Sequence, residues 1–122
     1  MKVSEVMNTT LCTTHPEATV GEAATLMGER RIGSVLICDG DKLLGILTER
    51  DIVRALSSDY GASQRPVAEW MTKDPQAGTP ETEVRAALRM MMEGGFRHLP
   101  VKDGETVVGM LSIRDVAEHL SD

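Results

Sequence analysis

The sequence predicts a mixed α/β fold, α+β in layout, built from two tandem β-α-β-β-α units. Three observations predict it. The chain repeats itself at one fixed offset. Each copy carries two β-rich runs around an Asp-Gly pair, and each carries two stretches with apolar residues at helical spacing. Residues 45–52 read GILTERDI and residues 109–116 read GMLSIRDV, an offset of 109 − 45 = 64. The same offset carries Val3 onto Val67, Glu5 onto Glu69, Met7 onto Met71, Pro16-Glu17 onto Pro80-Glu81, Asp39-Gly40 onto Asp103-Gly104 and Leu56-Ser57 onto Leu120-Ser121. No gap is needed from Val3 to Asp122, and 17 of the 56 aligned pairs are identical, which chance does not give in a single register. The expected organisation is a first unit over 1–58, a linker over 59–66 (within SSDYGASQRP) and a second unit over 67–122.

Each unit opens with a polar lead-in, TTLCTTHPEAT or TKDPQAGTPET, in which Pro16 or Pro80 breaks any preceding helix. A helix follows. Val20, Ala23, Ala24 and Met27 share a face, with Thr19 as N-cap, and Val84, Ala87, Leu88 and Met91 do the same in the second copy. Gly94-Gly95 stops that second helix, and the Met90–Met92 run reads as core filler. Next come SVLICDGDKLLGILT and HLPVKDGETVVGMLS, two hairpins turning at Asp-Gly. TERDIVRALS and SIRDVAEHLS then form the closing helices. Ile52, Val53 and Leu56 supply the first one's apolar face, and Thr48 and Ser112 stand at the N-caps. A unit of about 60 residues buries little alone, so the two are expected to share a core.

Composition narrows the function. A net charge of −6 and an aromatic share of 2% offer neither the basic stripe nor the stacking platform of a nucleic-acid binder. No run approaches the ~20 apolar residues of a membrane span, and MKVSEVMNTT has no apolar signal core. Cys12 and Cys38 are too few and wrongly spaced for a disulfide framework or a zinc site; they read as buried thiols of a cytoplasmic protein. His15, His98 and His119 are scattered, and no nucleophile–base set is legible, so no enzyme and no metal are expected.

The β-α-β-β-α tandem, the endings GILTERDI and GMLSIRDV, and RHLPV in the second copy together resemble a pair of CBS domains, a Bateman module, over essentially the whole chain. The resemblance implies two units about a pseudo-twofold axis, with inter-unit clefts that hold an adenosine-containing ligand: AMP, ADP, ATP, NAD or S-adenosylmethionine. It also implies a free-standing regulatory protein that forms a homodimer through its helices and acts on an unknown partner.

Thr48 with Asp51, and Ser112 with Asp115, have a structural reading as helix caps. They have a functional one as well. The hydroxyl stands where a helix N-terminus attracts anions, and a carboxylate one turn in accepts ribose hydroxyls. In the family the aspartate commonly holds the ribose. Arg97 and His98 align with Gly33 and Ser34. The resemblance sends them to phosphate, on the ligand whose ribose Thr48 and Asp51 hold; the two sites should then differ. Arg50 and Arg114 either reach phosphate or lie on exposed helix faces. Leu11, Thr13, Ala77 and Thr79 lie in the lead-ins that flank the expected clefts and are the candidates for contact with the base. No catalytic cofactor is expected. The competing reading is a structural or interaction dimer with vestigial clefts.

Overall fold

The computed structural model describes residues 1–120 of the 122-residue chain. The Ser57/Ser121 match and the expected end of the second unit at residue 122 lie outside them. In chain order the described residues form β1 (Thr13–Thr14), α1 (Val20–Arg30), β2 (Ser34–Asp39), β3 (Lys42–Thr48), α2 (Glu49–Ser58), β4 (Thr72–Lys73), α3 (Val84–Gly94), β5 (His98–Asp103), β6 (Thr106–Ser112) and α4 (Ile113–Leu120). The α/β order read from the repeat is present in both copies.

Two compact units result. One is continuous, Cys12–Pro75. The other joins Met1–Leu11 to the chain from Gln76 onward. The division therefore exchanges the opening residues of the two copies, 1–11 and 67–75, relative to the sequence repeat. Val3 N–H donates to Thr82 O (2.8 Å) and Val84 N–H to Met1 O (2.9 Å). Sixty-four residues away, Val67 N–H donates to Ala18 O (2.8 Å) and Val20 N–H to Arg65 O (2.9 Å). The residues that open each copy thus pair with the lead-in and helix start of the other copy. The stretch read as a linker is not a loose tether: Ala62 within it is fully buried.

In Cys12–Pro75, β1 runs parallel to β2, β2 antiparallel to β3, and β3 antiparallel to β4. The second unit has the β5–β6 antiparallel hairpin. Single bridges take the places of the short strands there: Gly78 with Val101 in parallel and Asn8 with Met110 antiparallel. Even irregularities repeat, with a register shift at Ile37/Cys38 and at Val101/Lys102. Both hairpins turn on a glycine with positive φ, Gly40 at 63° and Gly104 at 65°, as tight two-residue turns require.

The cores follow the helical spacing. Val20, Ala23 and Met27 of α1 pack with Val35, Ile37, Leu47, Ala55, Ala62 and Val67. Val84, Ala87 and Met91 of α3 pack with Val3, Val6, Leu99, Val101, Leu111 and Val116. Burying a side chain such as Met91 contributes about 1.5–3 kcal/mol before entropy is counted. Thr19 caps α1 through a reciprocal box with Glu22, as its sequence position predicts.

Three expectations need correction. Met92 is not core filler: it is 69% exposed, because one residue past buried Met91 the helix has turned about 100° away from the core. Cys12 is half-buried rather than buried; only Cys38 is fully inside. Val53 and Leu56 of α2 are exposed, and the side chain that α2 buries completely is Ala55.

One difference between the copies is conformational. Helix α3 ends on Gly95 in the left-handed region, φ 71°. Its counterpart after α1 is Arg31, left-handed at φ 55°. A side chain with a Cβ pays about 1–2 kcal/mol there, which glycine avoids.

Candidate functional site

The two matching endings of the repeat become two helix caps, each at the end of a hairpin. Thr48 finishes β3 and is the N-cap of α2 in an extended conformation, φ −116° and ψ 168°. Its Oγ1 accepts the Asp51 N–H at 3.3 Å and donates its own hydrogen to Asp51 Oδ2 at 3.0 Å. The Thr48 N–H also donates to Asp51 Oδ2, at 2.8 Å. Oδ2 is thus satisfied twice, while the nearest cation to Oδ1 is Arg54 Nη1 at 3.7 Å. Asp51 is only 6% exposed, the one buried carboxylate among the described residues.

Strand pairing adds a residue that the sequence reading passed over. Ser34, the other buried polar side chain, is the register partner of Thr48 across the β2–β3 ladder. The Gly33 carbonyl accepts the first N–H of α2, from Glu49, at 3.1 Å. Gly33 and Ser34 stood in the sequence only as the blank counterparts of Arg97 and His98. In the structure they close the Thr48–Asp51 cap from the neighbouring strand. Thr13 pairs with Leu36, two residues beyond Ser34, and is exposed on β1.

The second cap repeats the first. Ser112 N–H donates to Asp115 Oδ2 at 3.1 Å, and Asp115 N–H to Ser112 Oγ at 3.0 Å. His98 is the register partner of Ser112, and the Arg97 carbonyl accepts the Ile113 N–H at 3.0 Å. Arg97 is exposed, His98 and Asp115 half-buried. Ser112, Asp115, Arg97 and His98 therefore gather at one end of the β5–β6 hairpin. Thr48, Asp51 and Ser34 gather at the matching end of the β2–β3 hairpin.

The remaining expected contacts are looser. Arg50 is exposed in the first turn of α2. Arg114 is exposed and leans on Glu118 at 3.3 Å, a surface pair one helical turn apart. Ala77 and Thr79 flank Gly78, whose N–H and C=O both bond to β5, at Pro100 O and Lys102 N. Thr79 N–H donates to Thr82 Oγ1 at 2.9 Å in a local turn. Leu11 is half-buried in the segment that belongs with the second unit.

Burial pushes the Cys12 thiol above its usual value, and the nearby Arg30 charge only partly opposes this. Among the described residues no cluster of His, Cys, Asp or Glu could hold a metal ion. No described helix is long and apolar enough to cross a membrane.

The family model for the CBS domain matches the chain twice, over residues 3–58 and 67–122. An uncharacterized 17.7 kDa protein of Acidianus ambivalens is 43% identical over 99% of this chain and 74% of its own length. The crystal structure of the CBS-domain containing protein ATU1752 from Agrobacterium tumefaciens superposes with a TM-score of 0.91, at 29% identity, covering 98% of this chain and 99% of that one. The CBS domain pair of protein MJ0100, solved in complex with 5′-methylthioadenosine and S-adenosyl-L-methionine, has a TM-score of 0.91 at 24% identity. It covers 99% of this chain and 96% of its own, a likeness of fold.

Proposed function

Because the chain belongs to the CBS-domain family, we propose that it is a regulatory module that binds an adenosine-containing ligand and reports the binding by a change of shape or association. The candidate ligands are AMP, ADP, ATP, NAD and S-adenosylmethionine. The observation that carries the reading is the duplicated cap. Asp51 is a buried carboxylate with one oxygen doubly hydrogen-bonded and the other 3.7 Å from the Arg54 guanidinium. Such a fixed acceptor suits the paired hydroxyls of a ribose. The first turns of α2 and α4 add helix N-termini that favour a phosphate or carboxylate. Arg97, a permanent planar cation at the start of a strand, is the contact we assign to phosphate, together with His98. That the same fold holds two adenosine derivatives in protein MJ0100 supports the ligand class at the level of fold.

The reading places the protein in a reducing cytoplasm, as a homodimer, acting on another protein rather than as a catalyst. Val53, Leu56 and Met92, exposed on α2 and α3, support self-association.

A second reading has one observation in its favour. Both caps are complete in themselves: in each the hydroxyl accepts the aspartate N–H and the carboxylate accepts the cap residue's own N–H. An interaction module with empty clefts would show the same bonds. Thermal unfolding with AMP, ADP, ATP, NAD, S-adenosylmethionine and 5′-methylthioadenosine, each at millimolar concentration, separates the two. A ligand that binds only the native state at about 100 times its Kd adds about 2.7 kcal/mol. At least one of the six should raise Tm by several degrees; no shift with any of them favours the interaction module.

A further inference from the structure

Of the three side chains gathered at the first cap, Ser34 alone finds no partner in the chain. It is 7% exposed and stands at the start of β2, directly across from Thr48. Register partners of an antiparallel ladder put their side chains on one face, with Cβ atoms about 4.5–5.5 Å apart. The Thr48 hydroxyl is already engaged with Asp51, as donor to Oδ2 and as acceptor of the N–H. Among the described residues the Ser34 hydroxyl makes no hydrogen bond, and no side-chain polar atom shut off from solvent lacks one. The Ser34 oxygen therefore reaches solvent through the narrow opening left to the residue. The next pair along that face, Leu36 and Ile46, is apolar and buried. A hydroxyl at such a place is destabilising unless something outside the chain bonds it.

We propose that Ser34 is a specificity-determining ligand contact of the first cap: its hydroxyl donates to one hydroxyl oxygen of the ribose that Asp51 holds. The inference rests on reading Asp51 as the ribose acceptor, and it adds the group that tells one sugar from another. Asp51 is 6% exposed, and its Oδ1 makes no hydrogen bond among the described residues; Arg54 Nη1 lies 3.7 Å from it. An ionised carboxylate can only accept, whereas a sugar hydroxyl both donates and accepts. Asp51 thus takes the hydrogen of such a group and leaves its oxygen unserved. Ser34, on the same strand ladder as the cap, supplies the missing donor. A site built to bond a hydroxyl rejects the analogue that lacks it, because its own buried polar group is then left unpaired. The other copy has His98 in this register place, opposite Ser112, so the two caps address their ligands with different groups.

Adenosine is the probe, because every candidate ligand contains it. Calorimetry on the full chain compares wild type with Ser34→Ala. The substitution should weaken adenosine about three- to tenfold at the first cap, the share of one neutral hydrogen bond. The second cap, with His98 in that place, should keep its affinity. 2′-Deoxy-, 3′-deoxy- and 5′-deoxyadenosine then locate the contact. One of the three should bind wild type more weakly than adenosine and lose nothing further in Ser34→Ala; the other two should still lose about three- to tenfold. Without ligand, Ser34→Ala should melt no lower than wild type, since alanine removes an unpartnered hydroxyl. A lower Tm with all four nucleosides weakened alike overturns the contact and makes Ser34 a support of the cap. Equal adenosine affinity in wild type and Ser34→Ala overturns it too, and the ribose reading still stands if Asp51→Ala binds more weakly. Adenosine that fails to bind wild type at millimolar concentration overturns the contact together with the ribose reading.

Discussion

Replacing Gly45 by alanine should destabilise the Cys12–Pro75 unit by about 1–2 kcal/mol. An ideal Cβ at Gly45 would fall 2.6 Å from Met71 Sδ, 2.8 Å from Thr72 O and 3.0 Å from Met71 Cγ. Ordinary carbon contacts lie near 3.5–4.0 Å. The Met71 side chain can swing aside, but Thr72 O belongs to the β4 backbone, paired with Ile46 of β3. Relieving that contact means moving β4. Forced methyl groups in packed sites cost about 1–3 kcal/mol. Gly45 does not need a positive φ, so alanine regains about 0.4–1 kcal/mol through the unfolded chain. The balance of about 1–2 kcal/mol corresponds to a Tm lower by about 4–10 °C for a chain of this size. Gly109→Ala is the internal control. The three atoms nearest its Cβ would all belong to the Met7 side chain, whose sulfur and Cγ can rotate away, so it should cost less than Gly45→Ala. Adding Met71→Ala to Gly45→Ala should restore only part of the loss, since Thr72 O remains. Circular dichroism follows the helices, and the fluorescence of Trp70, beside Met71, follows the lead-in. Equal Tm values for Gly45→Ala and wild type, or a larger loss in Gly109→Ala, would refute the reasoning.

Three further outcomes follow from the same geometry. Arg97→Ala should weaken AMP by about 1.5–3 kcal/mol while changing adenosine little, because it deletes a charged contact to phosphate and leaves the ribose contacts intact; calorimetry with both ligands measures the difference. With its thiol pushed up by burial, Cys12 should react with iodoacetamide at neutral pH more slowly than the unfolded chain, and fully buried Cys38 more slowly still, as mass spectrometry of timed samples will show. Hydrogen bonds from Thr19 hold the Glu22 carboxyl below the usual range. A lowered carboxylate contributes stability above its unfolded value of about 4.3 and loses it as pH falls through the folded value. The stability gap between wild type and Glu22→Gln in urea should therefore narrow between about pH 6 and about pH 3.

Most of the scaffold was legible because its signals are local. Spacing of three and four placed Val20, Ala23 and Met27, and Val84, Ala87 and Met91, on buried helix faces. Asp-Gly marked both hairpins, and a hydroxyl three residues before an aspartate marked both caps. What was not legible is relational. Val3 and Val67 occupy the same place in the repeat, so the sequence cannot say which core each one joins; the structure sends each to the other copy. Met7 and Met71 explain the glycine in both GILTERDI and GMLSIRDV, but only once the lead-ins lie across the strands. Ser34 shows itself as part of the Thr48–Asp51 cap only through strand register. Met92 looked like its neighbours Met90 and Met91, since a run of three methionines hides which of them faces out. Arg31 gave no sign of a left-handed backbone, because arginine seldom marks one. As for the ligand, spacing places a hydroxyl and a carboxylate together, and the same pair serves as a cap or as a ribose clamp.

Calorimetric titration of the adenosine ligands into wild type, Asp51→Ala and Asp115→Ala tests the central claim most directly. The account predicts micromolar binding of at least one ligand, about −8 kcal/mol. It predicts a loss of about 1.5–3 kcal/mol in Asp51→Ala, beyond the roughly 1 kcal/mol of stability that losing a cap costs, which circular dichroism of the variant measures separately. Asp115→Ala should lose affinity at the second cap. No heat from any ligand at millimolar concentration, or one affinity shared by wild type and both folded variants, would contradict it.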